Sequence, residues 1–77
     1  MTIIVDRKTK ENNQKIIQRL QEDIDVVDIN TSYCEDNTEA GLRLYKACVD
    51  YAACIVIVSD VEVAEFLKDN NILVIVV

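Results

Sequence analysis

Four short apolar runs alternate with three longer segments of helical character along this chain of 77 residues. The runs are Thr2–Val5, Val26–Ile29, Cys54–Val58 and Ile72–Val77. The last two contain no charged side chain, which is typical of strands in a parallel sheet whose faces are both covered. Strands that alternate with helices at this spacing indicate βαβ units with right-handed crossovers. We therefore predict one α/β domain over residues 1–77, with a flavodoxin-like or Rossmann-like three-layer βαβαβαβ fold and a four-stranded parallel sheet in the order 2-1-3-4.

The three segments between the runs are predicted to be helices. The first spans Lys10 to about Ile24 and is capped by Thr9 or Asp6. Its apolar stripe is Ile16, Ile17, Leu20 and Ile24. The second begins at about residue 36 and ends near Ala52, and its apolar side chains spread over an arc so wide that contact from more than one side is expected. The third opens with the capping-box spacing of residues 59–62 and ends near Asn70.

Composition excludes several classes of function. The net charge is −6, whereas a general nucleic-acid binder needs a basic surface. Histidine is absent, which removes Ser-His-Asp and Cys-His catalysis and the commonest zinc ligand. No apolar run reaches the roughly 18 residues that cross a bilayer, so no membrane association is predicted. We expect neither a cofactor nor a metal.

The three cysteines, Cys34, Cys48 and Cys54, form no CxxC motif, and the first residues do not resemble a signal peptide. Both observations favour free thiols in the cytoplasm. Of the three, Cys34 lies in a polar loop and is the candidate reactive thiol.

Right-handed crossovers place the first helix on one face of the sheet and the other two on the opposite face. One face of strands 3 and 4 then has no helix over it, and the outer edge of the last strand has no partner. Exposed apolar faces and open edges promote association. We expect a second chain, most simply a two-fold related copy in a homodimer, to contact Ile72, Val74 and Val76. The alternative is that the chain is a fragment of a longer protein.

A candidate ligand site follows from the strand order. In open parallel sheets, ligands bind beyond the carboxyl ends of the strands, where the order reverses, which here is between strands 1 and 3. The polar residues expected at that crevice are Asp6, Arg7, Lys8, Thr9, Lys10, Thr31, Ser32, Ser59 and Asp60. Residues 1–20 carry five basic and two acidic side chains, so a phosphate or carboxylate is the expected ligand. Helix capping is the alternative role, favoured for Ser59 and equally open for Asp6 and Arg7.

Two specific site types are disfavoured. The single glycine, Gly41, falls inside the second helix, so a Walker or dinucleotide-binding loop is excluded. Asp6 and Asp60 meeting across the crevice would suit Mg²⁺. A receiver-type site, however, needs its phosphoacceptor aspartate at the end of strand 3, and Asp60 comes later.

The segment Asp25-Val26-Val27-Asp28-Ile29-Asn30-Thr31, after an amphipathic helix, resembles the V-I-D-x-G-T strand and turn of the ribose-5-phosphate isomerase B and galactose-6-phosphate isomerase family. The run Ile3–Arg7 resembles the first strand of that family with its Asp-His pair, and Ile55–Asp60 resembles the third strand, where the family has I-C-G-T-G. The resemblance spans this chain but only about the first half of a typical member. It implies a sugar-phosphate ligand contacted by Asp6.

The departures from the family pattern concern catalysis. The cysteine that acts as catalytic base falls on Val58, which cannot transfer a proton, and the histidine falls on Arg7. The glycines and threonine that stabilise the enediolate fall on residues 59–61. The resemblance therefore implies a chain that does not isomerise sugars alone. One subunit type of the galactose-6-phosphate enzyme also lacks the cysteine, which leaves a supporting-subunit role open.

Three hypotheses follow. The first is a small cytoplasmic, non-catalytic binding or regulatory module for a phosphorylated small molecule, acting as a homodimer. The second is a protein–protein interaction module that recruits a strand to the Ile72–Val77 edge. The third is an enzyme subunit in which Asp6 and Asp60 act as acid and base.

Overall fold

The computed structural model describes residues 1–77 and contains four strands and four helices, of which the first two helices follow each other between the first two strands. The strands are β1 (Thr2–Asp6), β2 (Asp25–Ile29), β3 (Ile55–Val58) and β4 (Leu73–Val76). The helices are α1 (Arg7–Asn12), α2 (Gln14–Gln21), α3 (Asn37–Asp50) and α4 (Val61–Asp69). All strand pairs are parallel and the order is β2-β1-β3-β4. The predicted α/β fold with its 2-1-3-4 sheet, a flavodoxin-like arrangement, is confirmed.

The predicted first helix differs from expectation in its start and in its continuity. Helix α1 begins at Arg7, directly after β1, and the helix is interrupted at Asn13. The side-chain amide of Asn13 donates to the carbonyl of Thr9 at 2.9 Å, while its backbone N–H bonds to Lys10 instead. An asparagine side chain competes in this way with the helical backbone. Ile16, expected on the buried stripe, is 54% exposed, because it lies about 100° around α2 from the buried Ile17.

The two faces of the sheet support separate cores. Ile4, Val56 and Val58 point towards α3 and α4 and belong to a core of 11 buried residues. Ile3, Val5 and Ile57 point the other way, towards α2, and with Ile17 form a core of four. The alternation of side chains along each strand produces this division. The helices lie on the faces that right-handed crossovers predict.

The uncovered surface is smaller than the sequence predicts. On the α2 side, Ile57 of β3 is only 2% exposed, because it packs with Ile17 in the smaller core. On the same side of β4, Leu73 is 61% and Ile75 is 43% exposed. The exposed part of that face is therefore confined to β4, and the prediction that strand 3 would also be bare is wrong.

Helix α3 packs on two sides, as expected from its wide apolar arc. Leu44 and its buried neighbours face the sheet, whereas Gly41 faces α4 so closely that an added Cβ would stand 2.5 Å from Cδ1 of Phe66. A third group of apolar side chains on α3 is exposed and consists of Leu42, Tyr45 and Val49. None of the four helices has the length and apolar character that a membrane crossing requires.

Candidate functional site

A cleft of about 920 Å³ opens at the carboxyl ends of β1 and β3, where the strand order reverses. Its floor is apolar and consists of Ala40, Leu44, Val58 and Val63. Its walls are the β1–α1 junction, the loop after β2 and the N-termini of α3 and α4. Crossover connections place all of these at one end of the sheet, which is why polar loop residues distant in sequence meet there.

The structure brings most of the predicted site residues together in this cleft. Those that line it are Asp6, Arg7, Lys8, Thr9, Thr31, Ser32, Ser59 and Asp60. Lys10 does not line it. The helix begins at Arg7 instead of Lys10, so Lys10 stands one turn further along α1 than expected.

Thr9 and Ser59 join the two sides of the cleft. Ser59 Oγ donates a hydrogen bond to Thr9 Oγ1 over 3.2 Å, and Thr9 is 1% exposed. The bond links the β1–α1 junction to the β3–α4 junction. Ser59 does not cap α4, although helix capping was the role that the sequence favoured for it. Asp60 is the N-cap and accepts from the backbone N–H groups of Glu62 and Val63 at 2.8 and 3.2 Å.

Asp6 occupies the N-cap position of α1, but its side chain does not cap the helix. Its carboxylate accepts instead from the hydroxyl of Thr31, at 2.7 Å, across the gap between β1 and β2. Helix α3, by contrast, is capped by Asp36, which accepts from the N–H of Glu39 at 2.8 Å. Among the three helices that start at the cleft, α1 alone has no side-chain cap on its first-turn N–H groups.

The charge of the cleft differs from the predicted basic cluster. Arg7 and Lys8 are the cations that line it, and Nε of Arg7 pairs with Oδ2 of Asp28 at 3.1 Å. Five carboxylates also line it, namely those of Asp6, Glu11, Glu35, Asp36 and Asp60. Both cations are therefore on the β1–α1 side, together with Asp6 and Glu11, and the charged side chains on the rest of the cleft are all carboxylates.

The loop after β2 contributes further residues to the cleft, of which sequence reasoning missed Cys34, Asp36 and Asn37. Asn30 accepts from the N–H and the hydroxyl of Ser32 at 3.0 and 2.7 Å, which shapes the loop as an Asx turn. Cys34, Asp36 and Asn37 also line the cleft. The available signal was topological, since a helix that follows β2 must begin at the same end of the sheet as the crevice.

Cys34 is not an activated nucleophile in this arrangement. Desolvation raises the pKa of its thiol, and the negative charge of Glu39 raises it further. The opposing effect of Arg43 is smaller than that of Glu39. At neutral pH the group is therefore a protonated thiol, which can contact a ligand but is a poor attacking group.

The fold and the cleft define a Rossmann-like parallel α/β protein with a polar site at its switch point. No group of three or more histidine, cysteine, aspartate or glutamate side chains is arranged to hold a metal ion. No protein-family model matches the chain, and no curated protein or solved structure shows significant similarity to it.

Proposed function

We propose that this chain is a non-catalytic binding module, a degenerate relative of the sugar-phosphate isomerases, that holds a phosphorylated small molecule in the cleft. One observation carries the proposal. Helix α1 opens into the cleft with no side-chain cap on its first-turn N–H groups, and Arg7 and Lys8 stand at that end. Free backbone donors and cations at a helix start are the groups that bind phosphate oxygens.

The other two helix starts at the cleft are unsuitable for an anion. The carboxylate of Asp36 already accepts from one first-turn N–H of α3, and that of Asp60 from two of α4. A phosphate placed there would meet a fixed negative charge at short range. The phosphate group is therefore assigned to the β1–α1 side, next to Arg7 and Lys8.

The acidic remainder of the cleft favours an uncharged, hydroxyl-bearing group beside the phosphate. Carboxylates such as Glu35 accept hydrogen bonds from hydroxyls, and the side chains of Thr31 and Ser32 add further polar contacts. The same carboxylates repel additional phosphates. This combination fits a sugar monophosphate better than a nucleoside triphosphate.

The proposal assigns no catalytic group. Val58, at the position that the resemblance gives to the catalytic cysteine, presents only methyl groups at the cleft floor and is 1% exposed. The raised pKa of Cys34 makes it a poor proton acceptor at neutral pH. A cytoplasmic location is part of the proposal, since the three cysteines are free and a reducing compartment keeps them so.

Calorimetric titration at low ionic strength tests the proposal with ribose 5-phosphate, inorganic phosphate, ribose and ATP. We expect ribose 5-phosphate to bind, inorganic phosphate to bind more weakly, ATP to bind more weakly than ribose 5-phosphate, and ribose to release no measurable heat. The double variant Arg7→Gln/Lys8→Gln should weaken the binding of ribose 5-phosphate at least about tenfold. The control Lys15→Gln/Arg19→Gln makes the same charge change on exposed residues outside the cleft and should leave it intact. Absence of heat and of any shift in melting temperature with every phosphate would contradict the proposal.

Alkylation of the thiols locates the ligand. Cys34 lines the cleft, whereas Cys54 is exposed and lies outside it. Bound ribose 5-phosphate should slow the reaction of Cys34 with iodoacetamide and leave that of Cys54 unchanged. Equal rates with and without ligand at Cys34 would place the ligand elsewhere.

A further inference from the structure

The free edge of β4 has backbone groups that are ready to pair with another strand. On the side of β4 that faces β3, the N–H of Leu73 donates to the carbonyl of Cys54 at 2.9 Å, and that of Val77 donates to the carbonyl of Val58 at 3.0 Å. In a parallel pair, successive residues direct their N–H and C=O groups alternately to one side and the other. The N–H and C=O groups of Val74 and Val76 therefore point away from β3, along an edge whose residues are all apolar.

We propose that this edge pairs in antiparallel orientation with β4 of a second copy, about a two-fold axis at Ile75. In that register Val74 of each copy lies opposite Val76 of the other, and each pair exchanges two N–H···O=C bonds. Four hydrogen bonds form in total, and they satisfy the outward N–H and C=O groups of Val74 and Val76 in both copies. The proposal does not depend on the proposed ligand.

The same register pairs the exposed apolar side chains. On the face opposite α4, Ile75 meets Ile75 of the second copy, and Leu73 meets Val77 of the second copy. In the single chain, Leu73 is 61% exposed, Ile75 is 43% exposed and Val77 is 41% exposed. Directly opposed apolar residues on an antiparallel pair stabilise it. The sequence predicts contacts at Ile72, Val74 and Val76. The side chains of Ile72 and Val74 instead pack partly against the larger core. In the proposed dimer, Val74 and Val76 contribute backbone hydrogen bonds.

Helix α4 packs beside the free edge of the sheet and leaves room for a copy of itself. Phe66 occupies the side of α4 next to α3, against Gly41. The other flank carries Val61, Glu65 and Lys68, which follow i, i+4, i+7 spacing and are exposed. The two-fold axis brings the two α4 helices about two strand spacings apart, on the order of 10 Å, which is a normal packing distance. The two α4 helices then run antiparallel to each other at a distance that avoids a clash.

The opposite edge of the sheet is a poor alternative partner for β4. Strand β2 carries two aspartates, Asp25 and Asp28, and Asp28 pairs with Arg7. Charged side chains on an edge strand oppose the addition of an apolar strand. Pairing of β4 with β4 also closes after two copies, whereas pairing of β4 with β2 would continue from copy to copy.

Sedimentation velocity and native mass spectrometry between about 1 and 300 µM test the proposal on the unmodified chain. We expect a concentration-dependent shift from monomer to dimer. Ile75→Lys sets two ammonium groups opposite each other at the axis and should leave only monomer. Ile16→Lys makes the same change at a side chain on α2 that is 54% exposed and should leave the dimer intact. Val76→Pro removes an outward N–H and should also give monomer, with circular dichroism confirming the fold of each variant. Monomer at every concentration, or a dimer that survives Ile75→Lys, would overturn the proposal.

Disulfide crosslinking tests the register. In a chain with Cys34→Ser, Cys48→Ala and Cys54→Ser, the added change Ile75→Cys places two thiols opposite each other at the axis. Air oxidation should give a covalent dimer. The matched variant Leu73→Cys should not crosslink, because each Leu73 lies opposite Val77 of the other copy. Crosslinking of both variants at equal rates, or of Leu73→Cys alone, would rule out this register.

Discussion

The two faces of the sheet differ in how completely helices cover them. On one face, α3 and α4 enclose a core of 11 buried residues that reaches from β2 to β3. On the other, Ile17 of α2 and three strand residues form a core of four, and the β4 side chains Leu73 and Ile75 remain exposed. Both faces are built from the same strands, whose side chains alternate between them. The difference therefore arises from the helices and not from the composition of the strands.

Because of this difference, we expect the residues that stabilise the fold to lie mainly on one face and the residues available for association to lie on the other. Burial of apolar surface is the main favourable contribution to folding, so the larger core should provide most of the stability. The exposed side of β4 lies on the other face, where a substitution removes little buried surface. The predictions below compare the faces by the free energy of unfolding in urea, within a total of about 4–11 kcal/mol for a chain of this length.

The largest expected effect is the loss of a buried leucine on the α3–α4 face. Leu67→Ala should lower the free energy of unfolding by about 3–4 kcal/mol, since the surrounding core cannot collapse into the cavity. Ile17→Ala should cost about 2–3 kcal/mol, because the smaller core borders solvent and can relax. Leu67 is 0% and Ile17 is 1% exposed, so burial does not explain the difference. Equal losses would show that the two cores are equally rigid.

A smaller effect is expected where α3 and α4 meet. Gly41→Ala places a methyl group 2.5 Å from Cδ1 of Phe66, so the ring must move. Overpacking costs about 1–3 kcal/mol, and the better helix propensity of alanine returns about 1 kcal/mol, so we expect a net loss of up to about 2 kcal/mol. In a Phe66→Leu background the added methyl should be neutral or stabilising. A loss that persists in that background would locate the constraint in the backbone instead of the ring.

The strand order was predictable because it depends on apolar runs and connection rules. The interruption at Asn13 was not, because it results from a local competition between its side chain and the helical backbone for the carbonyl of Thr9. The site was predictable to the extent that polar residues after parallel strands gather at one end of the sheet. Which hydrogen-bond partner each residue has was not predictable, as Asp6 shows by accepting from Thr31, 25 positions away, instead of capping its own helix.

Next in size is the cap of α4, whose helix covers the larger core. Asp60→Ala should lower the free energy of unfolding by about 1 kcal/mol, because two backbone donors lose their acceptor. Asp60→Asn keeps an acceptor oxygen and should recover most of the loss. Urea titration of the three chains in parallel checks this order. A loss at Asp60→Asn equal to that at Asp60→Ala would mean that the charge, through the helix dipole, is the larger contribution.

The smallest effect is expected at the ion pair beside α1, on the less covered face. Arg7 and Asp28 lie 3.1 Å apart, but their side chains are 46% and 34% exposed, so solvent screens the pair. A double-mutant cycle with Arg7→Gln and Asp28→Asn should give a coupling energy of about 0.5 kcal/mol or less, and 0.5 M NaCl should reduce it further. A weak pair leaves the guanidinium of Arg7 able to turn towards a phosphate in the cleft. A coupling above about 1 kcal/mol would instead fix Arg7 on β2, and the affinity for phosphate would then depend on Lys8 and the backbone N–H groups of α1.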